Sequence, residues 1–297
     1  MLGGCALTPA VAGPAAAPSV VATKSTASAS PTATPAATQS ADPAAVKSAS
    51  AVLASSAKAA TQASDPLIHL KPALRKQFKA CLSTTVGPGS SGSCTKLLQS
   101  QLKQVGFYPW SISSYLNVAG VNAVLNYQRS RGLSADGYAG KATWLALGTK
   151  TPTVSSKLPK TCLTKGVVLC VDQAHRKLTW LRSGKVVKTF KVRVGGYNQH
   201  VKTKIWRNFP SANGTWHVYN KLVDPPSENY GSGAMPYSTM FYPDMYVHYS
   251  PGFNAVGYAG SSHGCVNIRK LSDAIWIFKN TPIGAKVHIY SPKATTA

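Results

Sequence analysis

Val167-Val168-Leu169-Cys170-Val171, Lys177-Leu178-Thr179-Trp180-Leu181 and Val186-Val187-Lys188-Thr189-Phe190-Lys191-Val192-Arg193-Val194 are three runs rich in β-branched and aromatic residues, the last two parted by the turn Ser183-Gly184. Composition and alternation of this kind predict strands. Strands that follow one another without intervening helices predict an antiparallel sheet. A last run, Lys286-Val287-His288-Ile289-Tyr290, closes the domain. One helix is predicted ahead of it, from about Ser272 to Lys279, with Ser272 as its cap and Ala274, Ile275 and Phe278 on one face.

Outward from this β-rich part, at 166–291, the character of the chain changes. A Thr-, Ser-, Pro- and Lys-rich linker at 151–165 marks a boundary, and 292–297 form a short tail. Within 66–150, Leu97, Leu98, Leu102 and Val105 recur at helical spacing before Gly106, and Val121, Val124 and Leu125 repeat the pattern before Gly132. A third short helix carries Trp144, Leu145 and Leu147, so this segment reads as a small helical module. Residues 1–65 are mostly Ala, Ser, Thr, Pro and Val, with no aromatic residue. Such a stretch cannot bury enough apolar area to offset its ordering entropy and reads as a disordered tether.

The chain has 32 Lys and Arg against 8 Asp and Glu, a formal net charge of +24 spread along its 297 residues. That field attracts polyanions, anionic wall polymers among them. No zinc-finger spacing or RNA-binding aromatic signature accompanies it, so nucleic acid is not the expected partner. No apolar run approaches the length of a membrane-spanning helix. Met1-Leu2-Gly3-Gly4-Cys5-Ala6 resembles a bacterial lipobox, which implies a lipid on Cys5 and a membrane contact through that anchor alone. The charged and apolar regions of a signal peptide are missing ahead of it, so either the start lies upstream or the likeness is chance.

Of the six cysteines, Cys81 and Cys94 lie close across a turn-rich stretch, and Cys162 and Cys170 flank the first predicted strand. Both spacings suit local disulfides in an oxidising compartment, with buried thiols as the alternative and connectivity open. Pairing those four leaves Cys5 for lipid and Cys265 free.

Cys265 lies in Ser262-His263-Gly264-Cys265-Val266-Asn267. A thiol becomes a nucleophile when a neighbouring base or imidazolium stabilises its thiolate. His248 ends the alternating run Met245-Tyr246-Val247-His248-Tyr249, which projects it and Tyr246 to one face. His263 is two residues from the thiol, close for an ideal base but able to orient it. Gly264 gives the main chain freedom to turn N–H groups toward an oxyanion. The loop 250–261 carries three glycines and can fold His248 back beside Cys265. A zinc site on His248, His263 and Cys265 lacks a fourth ligand at suitable spacing, and no metal or cofactor is expected. A papain-like hydrolase would place its Cys well before its His, the reverse of the order here.

Two resemblances now become specific. Leu97-Leu98-Gln99, Gly106-Phe107-Tyr108, Tyr127-Gln128, and Gly132-Leu133-Ser134-Ala135-Asp136-Gly137 leading to Ala142-Thr143-Trp144 resemble the three-helix type of peptidoglycan-binding domain. His248 followed by Ser262-His263-Gly264-Cys265-Val266-Asn267 resembles the signature of the YkuD-type L,D-transpeptidase domain, over about Gly166 to Tyr290. The implied architecture is multidomain, a small α-helical wall-binding domain followed by a mainly-β catalytic domain. The implied activity is a Cys265 thioester with a stem peptide, His248 serving as base, resolved by a second stem's amine to leave a 3→3 cross-link. Peptidoglycan stems and glycan are the implied partners, and the implied place is the cell envelope outside the cytoplasm, secreted or lipid-anchored.

The resemblance casts the amides of Gly264 and Cys265 as oxyanion donors, with Ser262, His263 and Tyr249 as positioning groups. It casts Tyr237, Asn267 and Arg269 as substrate contacts. Phe209-Pro210-Ser211-Ala212-Asn213-Gly214-Thr215-Trp216 departs from the Thr-Pro-x-Gly-x-Phe stretch of many members, and Tyr249 stands where small residues are common. Hydrolysis of the thioester, giving an L,D-carboxypeptidase, and a catalytically silent wall-binding lipoprotein are the alternatives.

Overall fold

Period-two burial on both faces decides where the first strand sits. In β1 (Val167–Asp172), Leu169 and Val171 point into the main core, while Val168 and Cys170 join a second cluster with Cys162 and Leu181. A strand covered on both sides belongs in the middle of a sheet. The computed structural model, which describes residues 65–227 and 229–293, places it there. The sheet has nine strands in the order β6-β11-β1-β2-β3-β10-β9-β8-β7. Beyond β1 these are β2 (Lys177–Arg182), β3 (Lys185–Arg193), β6 (Gly214–His217), β7 (Asn220–Leu222), β8 (Ser238–Tyr242), β9 (Met245–Tyr249), β10 (Val266–Ile268) and β11 (Lys286–Tyr290). A separate hairpin pairs β4 (Tyr197–Gln199) with β5 (Trp206–Asn208).

The sheet is mixed, which corrects the antiparallel expectation. β1 runs parallel to β11, and β10 parallel to β9. Parallel neighbours need a crossover, and that between β9 and β10 is helical. Residues 250–261, expected as a glycine-bearing loop, form helix α5 (Pro251–Val256) and a 3₁₀ turn (Gly257–Ala259). Ser250 caps α5, its Oγ accepting from Phe253 N at 3.1 Å. Helix α6 (Leu271–Asn280) packs Ala274 and Ile277 on the sheet, and Trp276 meets Trp180 edge-on at 5.3 Å. Its N-cap is Lys270 rather than Ser272, which lies inside the first turn and makes no capping bond.

Among the described residues four helices precede the sheet: α1 (Pro72–Cys81), α2 (Ser93–Gln104), α3 (Val118–Ser130) and α4 (Lys141–Gly148). Disulfides join Cys81 to Cys94, tying α1 to α2, and Cys162 to Cys170. Trp144 is buried against Phe78, and its indole N–H donates to Thr84 O at 2.9 Å. Gln128 organises the Asp136-Gly137 turn. Its Nε2 donates to Asp136 Oδ1, Tyr138 O and Thr143 Oγ1, and its Oε1 accepts from Gly137 N.

Helices and sheet belong to one compact unit among the described residues. The contact face is polar. Asn122, Asn126 and Arg129 share one side of α3 and are all buried. Asn122 Oδ1 accepts from Tyr197 N at 3.0 Å while its Nδ2 donates to Tyr197 O at 3.1 Å. Arg129 Nη2 donates to Gly195 O at 2.8 Å. Arg176 lies between the rings of Phe107 and Tyr258, at 5.1 and 4.3 Å. Such fixed pairings seat α3 against the loop that follows β3, beside the segment that carries Cys265.

Candidate active site

Parallel pairing of β9 with β10 sets Asn267 opposite His248 and Val266 opposite Val247. Val247 and Val266 face the core, so by alternation Tyr246, His248, Cys265 and Asn267 share the other face. That face is the floor of a cavity of about 740 Å³, whose lining includes Arg193, Tyr230, Tyr246, His248, His263, Cys265 and Asn267. Cys265 is the one free cysteine among the described residues.

The Cys265 thiol is packed away from solvent. Its Sγ accepts from Tyr246 N at 3.4 Å and points at Asp244 O at 3.7 Å. Burial pushes its pKa up to about 11, against a smaller lowering from the Tyr246 N–H. At neutral pH the resting group is therefore a thiol. Asp244 holds a left-handed backbone (φ 60°) at the β8–β9 turn, which aims its carbonyl at the sulfur.

His248 is also neutral. Burial pulls its pKa down to about 4, and the charge of Arg193 adds to this. Its ring nitrogens are both occupied, Nδ1 by Tyr249 O at 2.6 Å and Nε2 by Asn267 Nδ2 at 2.9 Å. Arg193 fixes which way the Asn267 amide faces. Its Nε and Nη2 donate to Asn267 Oδ1 at 3.1 and 3.0 Å, so the amide nitrogen must face the imidazole. The proton then sits on Nδ1, shared with Tyr249 O, and Nε2 is left as a lone-pair acceptor. Arg193 is held in turn by Ser250 Oγ at 3.2 Å and Gly257 O at 3.2 Å. No hydrogen bond joins His248 to Cys265 among the described residues.

The loop that carries Cys265 is tightly tied. Ser262 Oγ donates to Cys265 O at 2.6 Å and accepts from Gly264 N at 3.2 Å. The Gly264 amide is thus engaged, whereas the Cys265 amide has no partner among the described residues. Gly264 has φ 117°, and a Cβ there would come within 2.8 Å of Met245 Cε, so only glycine fits. His263 Nε2 meets Gln199 O at 2.8 Å, and burial lowers its pKa.

Among the side chains singled out from the sequence for the site, those of Tyr237, Arg269 and Tyr249 do not reach the cavity. Tyr237 is half-buried with φ 56° and packs edge-on against Phe278 at 5.7 Å. Arg269 is exposed on the turn after β10. Tyr249 contributes its carbonyl to His248 while its side chain leaves the cavity lining. Conversely, Arg193, Tyr230 and Ser211 belong to the site and were not singled out. Tyr230 has its pKa pushed up to about 12 by burial and by the nearness of Cys265, so its hydroxyl stays a donor. Ser211 Oγ donates to Gly264 O at 2.6 Å and accepts from Gly195 N at 3.0 Å. Arg193 was legible only as the polar member of the alternating run Val192-Arg193-Val194.

No cluster of metal-ligating side chains occurs among the described residues. A buried thiol, a neutral imidazole with a fixed tautomer, a phenol and a free backbone amide in one cavity are the equipment of acyl transfer.

Comparison with known proteins gives two family matches and several similar solved structures. Residues 166–289 match the family model of the YkuD L,D-transpeptidase catalytic domain, and residues 91–147 match that of a peptidoglycan binding domain. Similar solved structures include an L,D-transpeptidase from Xylanimonas cellulosilytica, 23% identical over 69% of this chain and 97% of that chain, with a TM-score of 0.37. Another, from Stackebrandtia nassauensis, is 24% identical over 71% of this chain and 97% of that one, with a TM-score of 0.38. An L,D-transpeptidase from Mycobacterium smegmatis is 23% identical over 42% of this chain and 58% of that one, with a TM-score of 0.31. No curated protein matches the chain. By the two family models, residues 166–289 carry a YkuD-type L,D-transpeptidase catalytic domain, preceded at 91–147 by a domain of the peptidoglycan-binding family.

Proposed function

We propose that this protein forms 3→3 cross-links between peptidoglycan stem peptides through a thioester on Cys265. The observation that carries the reading is the sharing of one cavity floor by a free thiol and an imidazole of fixed tautomer. The donor stem enters the cavity with the carbonyl of its third residue at Sγ. His248 Nε2, freed from Asn267, takes the thiol proton as the C–S bond forms and gives it to the departing amine of the terminal D-amino acid. An amine of a second stem then attacks the thioester, His248 takes one of its protons, and Cys265 leaves as the thiol.

The Cys265 amide and the Tyr230 hydroxyl are the donors we assign to the tetrahedral oxyanion. Ser262 and Gly264 hold the loop in shape, and His263 walls the cavity. Tyr237, Tyr249 and Arg269 act on substrate only through the surroundings they support. Two disulfides favour a place outside the cytoplasm, in the cell wall, and the +24 charge favours contact with anionic wall polymers. Cys5 and its proposed lipid lie outside the described residues, as does the tether of 1–65 apart from Asp65.

Incubation with a disaccharide-tetrapeptide, read by mass spectrometry, tests the reading. A cross-linked dimer with wild type and unchanged substrate with Cys265→Ala are expected. A tripeptide without dimer would assign the protein as an L,D-carboxypeptidase instead. Unchanged substrate with wild type would favour the silent wall-binding alternative.

A further inference from the structure

A second cleft, of about 380 Å³, is lined by residues of the helical segment and of the β-rich part. Its lining includes two cations, Arg129 and Lys293, and no acidic residue. Arg129 is 6% exposed, and no carboxylate pairs with it among the described residues. A buried charge is ordinarily paired, because desolvation without compensation is costly. Its guanidinium gives one hydrogen bond, to Gly195 O, among the described residues. None of its other N–H groups is both fully buried and unpartnered, so they open onto the cleft. Burial lowers its pKa to about 10, which leaves it charged at neutral pH.

The rest of the wall suits an anion with hydrogen-bonding neighbours. Gln173 Nε2 donates to Asn213 Oδ1 at 2.7 Å, which leaves the Asn213 amide nitrogen as a donor toward the cleft. Ser134 adds a hydroxyl from the peptidoglycan-binding segment.

We propose that this cleft is a second binding site, in which Arg129 holds the free carboxylate of a short peptide. A planar guanidinium with unused N–H groups matches a carboxylate through paired, charge-assisted bonds. The carboxylate class comes from the cleft; its source in a wall stem peptide rests on the function proposed above. The site is also wired to the nucleophile loop. Arg129 bonds Gly195 O, the Gly195 amide bonds Ser211 Oγ, and Ser211 bonds Gly264 O.

The test is a titration of the full chain carrying Cys265→Ala, followed by amide NMR at Leu133, Ser134 and Asn213. The probes are a stem tetrapeptide with free carboxylates, the same peptide with its carboxylates amidated, and inorganic phosphate. Saturable shifts with the free acid are expected, weakened about 10- to 100-fold by amidation and by Arg129→Met. Arg129→Lys, which keeps the charge and loses the fork, is expected to bind with intermediate affinity and serves if the methionine variant does not fold. Equal binding of free and amidated peptide, or binding that ignores Arg129, would overturn the proposal. Saturation by phosphate in preference to the peptide would overturn it in favour of a phosphate polymer. The amides of this cleft are distinct from those of the catalytic cavity, and turnover is not needed, so failure of the cross-linking assay leaves this outcome readable.

Discussion

Arg193 and Asn267 are joined by two hydrogen bonds to a single oxygen, Nε at 3.1 Å and Nη2 at 3.0 Å from Oδ1. The pairing spans antiparallel neighbours, β3 and β10, where the two residues stand in register. A cation on the oxygen forbids the flipped amide, and the choice passes on to the imidazole of His248. The His248 tautomer is therefore set from two side chains away, by a charge whose own partners are Ser250 and Gly257.

Replacing Arg193 with Met removes that selection. We expect kcat to fall about 10- to 100-fold with KM little changed, the loss of one charged hydrogen-bond pair acting on the base rather than on substrate. Steady-state kinetics on the disaccharide-tetrapeptide, with ¹⁵N shifts of His248 reporting the tautomer, checks it. A rise in KM alone would assign Arg193 to substrate binding.

His248 also makes stability depend on pH. Its folded pKa of about 4 lies below the reference value of 6.5, so its contribution is present above pH 6.5 and is lost as pH falls toward 4. The shift corresponds to something on the order of 3 kcal/mol. His263 and His288 are shifted the same way and steepen the slope. Urea unfolding at pH 7 and pH 4.5 measures the difference, and His248→Gln is expected to flatten it.

Cys265 in the resting protein should alkylate slowly. With a thiol pKa near 11, the iodoacetamide rate is expected to rise about tenfold per pH unit from 7 to 10. A plateau below pH 8 would mean that a thiolate is already stabilised before substrate arrives.

Gly195→Ala should abolish a folded site. A Cβ there would lie 2.0 Å from Phe209 O and 2.7 Å from Ser211 N, both backbone atoms that cannot yield cheaply. We expect a loss of several kcal/mol in stability, visible as a drop in Tm of more than 5 °C.

The strands β1 to β3 were readable because their apolar residues are local and alternate. Parallel pairing of β9 with β10 was not, since it joins segments across a helix whose own signal is short and carries glycine. Helix α1 carries almost no sequence signal either: of its ten residues only Phe78 and Cys81 are buried, so it has almost no apolar stripe. Cys265, His248 and Asn267 were legible as residue types able to do thiol chemistry, and the fold gathers them. Arg193 was hidden because, in sequence, a charged residue between two valines reads as a solvent-facing strand position. What buries it is α5 and the turn after it, which come more than fifty residues later. Tyr237 and Arg269 were singled out by likeness alone, and their placement away from the cavity follows from local packing no motif encodes.

In the proposed reaction Cys265 carries the acyl group. Intact-protein mass spectrometry after brief exposure to a stem tetrapeptide tests it most directly. An adduct equal to the tetrapeptide less its terminal residue, mapped to Cys265 and absent in Cys265→Ala, is expected. An adduct that survives that substitution, or maps to another residue, would contradict it.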